Sequence, residues 1–364
     1  MLHALILAGG SGTRFWPLSR RSRPKQLLRL FSERPLVTET RERVRGLVPP
    51  ERIHVVAPAR LAADLRAALA DLPPAAFLLE PAARNTGPAV AFAAAAVLRK
   101  DADATLAILP ADHVIRPAAA LRSALELAAS VAAAPGRIVL FGIRPAYPST
   151  GYGYIRRAAA EPGGGEQAAF SRVAAFVEKP DAARAAALVA EGGALWNSGI
   201  VVASARTLLD AFAGVAEGYA SPLREMRERL AAGAPSDDPA VAAAYLLLPE
   251  GPFDKAVLER WGDIAVIEAP FEWDDVGDFR AIERHVAADE RGNVARGPGL
   301  FLDGTKGSTV VAPGGSPLVV LSGVEDLLVV TTPDAVLVCR RGDGEKMREI
   351  VEAVRRAGRP ELLE

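Results

Sequence analysis

The chain has 364 residues, 50% of them hydrophobic, with 43 Lys+Arg against 44 Asp+Glu and a formal net charge of -1. That length implies roughly two to three domains of ~150 residues and the composition allows a sizeable core. The charge balance argues against a protein that coats nucleic acid. A single cysteine, Cys339, rules out an intramolecular disulfide and fits a reducing cytoplasm.

At the N-terminus an apolar run precedes its charges, whereas a secretory signal places charges first. Pro17, Pro24 and the glycines around them interrupt any transit-type helix. No apolar run approaches the ~20 residues of a membrane span. A cytoplasmic protein is expected, with neither membrane nor nucleic acid as partner.

Through the first 150 residues apolar runs alternate with helix-like stretches. Strands are expected at Ala4–Leu7, Ile53–Ala57, Phe77–Leu79, Thr105–Leu109 and Ile138–Phe141. Helices are expected at Pro35–Leu47, Leu61–Ala70, Gly87–Lys100 and Ala118–Ala132. Continuous apolar strands in this alternation predict an α/β fold with a mainly parallel sheet covered on both faces. Ligands of such sheets bind at the carboxyl ends of strands, where Gly9–Arg14, Glu80 and Asp112 fall. From Gly151 to Phe279 the pattern is less regular, with helices near Ala182–Glu191 and Ala205–Ala213 and a loop at Gly163–Gly165. After Asn293 short apolar runs recur between turn residues: Leu300–Leu302, Thr309–Val311, Leu318–Leu321, Leu327–Val330 and Val336–Cys339. This reads as a small all-β unit. A final helix follows, with Met347, Ile350, Val351 and Val354 on one face. The boundary lies near 281–292, giving domains 1–285 and 292–364.

The most informative stretch is LILAGGSGTRFWPLSRRSRPKQ, from Leu5 to Gln26. Three glycines close an apolar run, six basic residues follow by Arg29, and no acid occurs before Glu33. Glycine lets a backbone approach phosphate oxygens, and successive N–H groups can form an anion nest. The spelling matches neither a Walker loop nor a dinucleotide fingerprint, because Phe15 stands where Gly or Ala is needed. A glycine turn with a solvated basic face is the plain alternative.

AGGSGTRFWPLSRRSRPKQ closely resembles the signature of the sugar-1-phosphate nucleotidylyltransferases, and its W-P-L-S and P-K-Q details resemble the mannose-1-phosphate guanylyltransferase branch. EPAARNTGPAVA (80–91), LPADHVI (109–115), TGYGYI (150–155), FVEKP (176–180), LWNSGI (195–200) and WDDVGDF (273–279) match in family order. The resemblance implies a Rossmann-like, mainly parallel sheet of the nucleotide-diphospho-sugar transferase type, followed by a β-helix-like segment. It also implies the reaction: a mannose-1-phosphate oxygen attacks the α-phosphorus of GTP and pyrophosphate leaves. Such chemistry runs on positioning and charge stabilisation.

By the same resemblance, Arg14 and Lys25 meet the phosphates, and Asp112 with Asp275 holds Mg²⁺. Asp274 is a competing ligand, because its position usually carries a smaller polar residue, and Asp278-Phe279 departs from the commoner Ser-Trp. Nucleotide contacts are implied for Ala8, Gly9, Gly10, Gly12, Thr13, Glu80, Asn85, Thr86 and Gly87, with Glu80 and Asn85 the candidates for the base. Gly151, Glu178, Lys179 and Asn197 are implied for the sugar phosphate. His113 is read as structural, since the four histidines show no HxH or HxxxH spacing. Tyr152 and Tyr154 are read as packing and Lys255 as peripheral. Arg20–Arg23 is expected to close over bound GTP on its glycine and proline hinges.

The segment GVEDLLVVTTPDAVLVCRR (323–341) resembles the family's subunit-contact coil, which implies a homodimer. Some relatives continue into a cupin-type isomerase domain; with this sequence reaching only Glu364, no isomerase activity is expected. Another sugar-1-phosphate and nucleotide pair, such as glucose-1-phosphate, is the nearest alternative reading. A silent nucleotide-sugar sensor is a further one, although it would be expected to have lost Arg14, Asp112 or Lys179.

Overall fold

A computed structural model describes residues 1–10, 12–158 and 170–364. The expected loop at Gly163–Gly165 lies outside them. The strands in chain order are β1 (Leu2–Leu7), β2 (Ile53–Pro58), β3 (Phe77–Glu80), β4 (Thr105–Pro110), β5 (Val114–Arg116), β6 (Ile138–Ile143), β7 (Tyr154–Arg157), β8 (Ser171–Val177), β9 (Ala194–Ser204), β10 (Ile264–Glu268) and β11 (Glu272–Asp274). Those of the C-terminal region are β12 (Val294–Arg296), β13 (Leu300–Asp303), β14 (Thr309–Val311), β15 (Val319–Ser322), β16 (Leu327–Thr331) and β17 (Val336–Arg340). The helices are α1 (Leu36–Arg43), α2 (Ala62–Ala68), α3 (Thr86–Lys100), α4 (Ala118–Val131), α5 (Ala182–Glu191), α6 (Ala205–Val215), α7 (Ala220–Ala231), α8 (Pro239–Leu247), α9 (Arg280–His285) and α10 (Met347–Arg356).

Compactness divides the chain into two units that do not follow its linear order. The first comprises Met1–Gly9, Thr40–Ala111 and Ile115–Trp273. Its nine-stranded sheet has the order β3-β2-β1-β4-β9-β6-β10-β8-β7. β1 pairs parallel with β2 and β4, and β2 with β3, as the strand–helix alternation predicts. The inner residues of β1 are all buried, which is why it reads as a continuous apolar run. Beyond β4 the sheet turns mixed: β9 runs antiparallel to both β4 and β6, and β10 returns parallel to β6.

Helix α3 is apolar on all sides, and Gly87 to Val97 are buried throughout, so it forms the centre of this unit's core with α6 and α7 around it. Local signals fix the ends. Asp181 caps α5, Ser204 caps α6, and Asp238 caps α8 ahead of Pro239 at the first helical position.

The second unit comprises Gly10–Glu39, Asp112–Val114 and Asp274–Glu364. β12, β14 and β16 stack in parallel register, Val294 opposite Thr309 and Thr309 opposite Leu328. β13 pairs parallel with β15, and β17 closes the larger sheet antiparallel to β16. This is a β-helix-like coil. Val310, Ala312, Val319 and Val329 fill its interior.

The other face of the same strands is also apolar. Val294, Val311, Leu328, Val330 and Leu337 share a core with Met347 and Val351 of α10 and with Phe15, Trp16, Leu18, Leu28, Leu30 and Leu36. β14 is buried on both faces for that reason. The glycine- and arginine-rich stretch near the N-terminus is thus packed into the same core as the C-terminal coil.

Candidate active site

The described site residues fall into a set in each unit. In the second unit the set begins at Gly10 (φ 95) and Gly12 (φ 60), ahead of a single turn over Thr13–Phe15. A Cβ on Gly12 would stand 2.6 Å from the Lys25 backbone nitrogen and 2.7 Å from the Lys25 Cβ. Both the positive φ and that contact require glycine. Phe15 points inward against Phe279, ring centroids 5.0 Å apart, while Thr13 and Arg14 stay exposed.

Lys25 is only 5% exposed. Its Nζ lies 2.8 Å from Asp112 Oδ2 and donates to the Asp275 carbonyl at 2.6 Å. Burial would raise the Asp112 pKa, but Lys25, with help from His113, overrides it and holds the carboxyl below its usual range. His113 Nε2 is 3.9 Å from Asp112 Oδ1. A Cβ on Gly277 would lie 3.3 Å from both Asp275 carboxylate oxygens and 3.4 Å from Arg14 Nη1, so Arg14 and the Asp275 carboxylate both border Gly277. The structure therefore gathers Arg14, Lys25, Asp112 and Asp275.

Asp274 has a different task. Arg284 grips it through Nε (2.6 Å) and Nη2 (2.9 Å), His285 Nε2 is 3.0 Å away, and the Val276 N–H donates to it at 2.8 Å. Burial opposes its charge, but His285 and Arg284 hold the carboxyl far below the carboxylate range. Between these two acids and Gly277 the chain bends at Val276, which is buried at φ 52, a conformation rare for a β-branched residue.

In the first unit, Glu178 and Lys179 follow β8, with Lys179 Nζ 2.5 Å from Glu178 Oε1. A Cβ on Gly153 would lie 2.6 Å from Glu178 Oε2, so it is Gly153 that leaves room for that carboxylate. Gly151 is exposed, its N–H donating to Ser149 Oγ. Asn197 on β9 is fixed at both ends: Nδ2 donates to Asp254 Oδ1 (2.8 Å) and Oδ1 accepts from the Gly199 N–H (3.1 Å). Burial, then repulsion from Glu178, lifts the Asp254 carboxyl to about 6. Sequence reasoning misses Asp254, although it precedes Lys255, which is exposed. Tyr152 packs edge-on between Trp196 and Trp273, and Tyr154 is fully buried.

The RNTG step ties the start of α3 to residues 248–253. Arg84 Nη1 donates to Leu248 O, the Gly87 N–H to Gly251 O, and the Phe253 N–H to Thr86 Oγ1. Asn85 is exposed at φ 70, its Oδ1 accepting from the Thr86 N–H. Gly9 is exposed, but Ala8 is buried with its N–H on Val56 O. The expectation of a nucleotide-facing Glu80 needs correcting. The side chain is 5% exposed and accepts from the Tyr245 hydroxyl at 2.6 Å. Ala8 and Gly87 likewise have their N–H groups committed to backbone partners. Among the described residues no group of three or more His, Cys, Asp or Glu could hold a metal alone.

Residues 3–292 match the family model described as nucleotidyl transferase, and residues 304–354 match that of the MannoseP isomerase/GMP-like beta-helix domain. The mannose-1-phosphate guanylyltransferase of Escherichia coli (strain K12) is 37% identical over 371 residues, covering 99% of this chain and 74% of that protein. The xanthan biosynthesis protein XanB of Xanthomonas campestris pv. campestris is 38% identical over 361 residues, covering 98% and 74%. A crystal structure of mannose-1-phosphate geranyltransferase from Thermus thermophilus superposes with a TM-score of 0.84 at 35% identity, covering 97% of this chain and 99% of that one.

The buried Glu80 gives a pH signature. Burial outweighs the Tyr245 hydrogen bond and lifts its carboxyl from 4.5 to about 7. A raised acid pKa means that the folded state holds the proton more tightly than the unfolded one. Stability is therefore lost as pH climbs from 4.5 through about 7. Glu80→Gln cannot ionise and still accepts from Tyr245. Its stability relative to the parent should improve by up to ~3 kcal/mol between pH 5 and pH 8 in urea unfolding. The same difference at both pH values would disprove this account of Glu80.

Proposed function

The chain belongs to the nucleotidyl transferase family, and we propose that it transfers GMP from GTP to mannose-1-phosphate, giving GDP-mannose and pyrophosphate. The observation that carries this reading is Lys25 set between Asp112 and the Asp275 carbonyl, with Arg14 and the Asp275 carboxylate both bordering Gly277. The nucleophile is a phosphate oxygen that is largely ionised at neutral pH, so no general base is required. One P–O bond forms at the α-phosphorus and the bond to the β-phosphate breaks. Arg14 and Lys25 supply cationic donors to the oxygens on which charge accumulates.

A divalent cation fits this donor set, and Mg²⁺ fits best. It takes one or two carboxylates and completes its shell with water and phosphate oxygens rather than an all-protein cage. Asp112 and Asp275 would hold it. The hold of Arg284 and His285 on Asp274 favours Asp275 over its neighbour for this role. When bound, the metal would neutralise phosphate charge. The exposed backbone at Gly9, Gly10 and Thr13 meets the nucleotide, with Asn85 at the base. Glu178 and Asn197 bind sugar hydroxyls and Lys179 the sugar's phosphate. Asn197 keeps one amide hydrogen and one lone pair beyond its two fixed contacts.

No helix of the described residues is long and apolar enough to cross a membrane, which is compatible with work in the cytoplasm. The coil presents Phe301 (60% exposed) beside Val320, its register partner on β15, and Val336 and Val338 on the outer strand β17. Apolar side chains beside an edge strand favour pairing with a second copy, which supports a homodimer.

Pyrophosphate release should be fastest for GTP with mannose-1-phosphate when GTP, ATP, UTP and dTTP are crossed with mannose-1-phosphate and glucose-1-phosphate. Chelation should stop turnover and Mg²⁺ restore it. Asp112→Ala and Asp275→Ala should each lower kcat by about 10²–10³-fold, whereas Asp274→Asn should mainly lower the melting temperature. A different best pair would refute the substrate assignment. In light scattering the protein should have the mass of a dimer, and Phe301→Glu with Val320→Glu should halve it; a monomeric parent, or an unmoved variant, would refute the homodimer.

A further inference from the structure

The stretch between Arg14 and Lys25 is expected from sequence to be a closing flap, yet within its own unit it is bound along most of its length. Arg20 and Arg23 close a tight turn by exchanging backbone hydrogen bonds, Arg20 N–H to Arg23 O (3.0 Å) and Arg23 N–H to Arg20 O (3.1 Å). The tip of that turn is tied to residues 362–364. The Arg21 N–H donates to Leu363 O (3.0 Å), the Ser22 N–H to Glu364 O (2.6 Å), and the Ser22 hydroxyl to the same oxygen. Below the turn, the Trp16 indole N–H donates to Leu362 O at 2.9 Å. At its side, the Arg20 guanidinium meets both Asp334 oxygens, at 2.8 and 2.5 Å. Asp334 sits between β16 and β17, and the Thr332 hydroxyl donates to it at 2.9 Å.

We infer that Asp334 and residues 362–364 form a brace that positions Arg14 and Lys25, making the C-terminal coil a determinant of kcat as well as a subunit contact. The brace grips the middle of the stretch and the two phosphate-binding cations stand at its ends. Their placement relative to Asp112 and Asp275 is inherited from the C-terminal segment. Bidentate Arg–carboxylate contacts and paired backbone hydrogen bonds fix direction as well as distance. Charge stabilisation of phosphoryl transfer is sensitive to such placement. Asp334, Trp16 and Leu362 are positioning residues: they act through the stretch and touch no substrate. This inference rests on the activity proposed above.

Three variants test it: Asp334→Asn, Trp16→Phe, and a chain shortened by residues 360–364. Two readouts are taken, tryptic cleavage after Arg20 and Arg21, and steady-state kinetics. Cleavage should become about fivefold faster. The kcat should fall about tenfold, while the KM for mannose-1-phosphate stays within about twofold. Asp334→Glu should restore both readouts, which a change that merely weakens the fold would not do. If the shortened chain loses its cooperative melting transition, Asp334→Asn decides the matter, since it removes one charge on an exposed turn. Unchanged cleavage would overturn the brace, and faster cleavage at an unchanged kcat would overturn its role in placing Arg14 and Lys25. A parent protein without turnover on GTP and mannose-1-phosphate would instead refute the activity, with cleavage still reporting on the brace.

Discussion

A buried ammonium cannot be left without counter-charge, and Lys25 organises its surroundings accordingly. It is held by Asp112 and by the carbonyl of Asp275, residues far from it in sequence. Removing either partner would strand a charge in a poorly solvated place, so the three positions are mutually dependent. Gly12 belongs to the same constraint, because any larger residue would collide with the Lys25 backbone. The glycines of the opening loop thus have two physical origins. Gly9 and Gly10 leave their backbone exposed, and Gly12 lets the loop lie against the lysine that follows it.

Backbone strain falls in the motif stretches of each unit independently of side-chain chemistry. Among the described residues the non-glycine positions with positive φ are Asn85, Lys179, Val276 and Asp326. Three of these lie inside the RNTG, FVEKP and WDDVGD stretches. Each such conformation costs of order 1–3 kcal/mol and persists only where its surroundings over-determine it. For Val276 the surroundings are visible: Asp274 accepts its N–H while Arg284 and His285 hold Asp274 in place. The bend lets adjacent carboxylates differ in surroundings, one anchoring the turn and one lying beside Gly277.

Much of this is legible in the sequence, for physical reasons. Parallel strands buried on both faces leave continuous apolar runs, and β1, β2, β3, β4 and β6 stand where those runs are. α5 spans Ala182–Glu191 as expected because Asp181 and Gly192 bracket it with capping signals. β9 escapes the sequence reading, because an apolar run with Trp196 and Asn197 inside it does not alternate like a strand. Asp254 is hidden for a different reason. An acid in an apolar segment reads as a solvated helix end, and only the fold sets it against Asn197. Neighbouring Asp274 and Asp275 cannot be separated in one dimension, because their division of labour depends on which one Arg284 reaches. The grouping of residues 10–39 with the coil is likewise invisible, since Phe15, Trp16 and Leu18 are simply apolar until β14, β16 and α10 are placed beside them.

That shared core changes what the C-terminal coil means energetically. A coil used only to join subunits could loosen without consequence for a loop elsewhere. Here Val311, Leu328 and Val330 share one apolar cluster with Phe15, Trp16 and Leu18. Opening the coil exposes the residues on which the glycine- and arginine-rich stretch rests, so the two belong to one cooperative unit of stability. A protein built this way cannot shed its β-helix and keep its glycine loop ordered. Residues 304–354 match a domain model of their own, yet their packing joins them to the glycine- and arginine-rich stretch in one core.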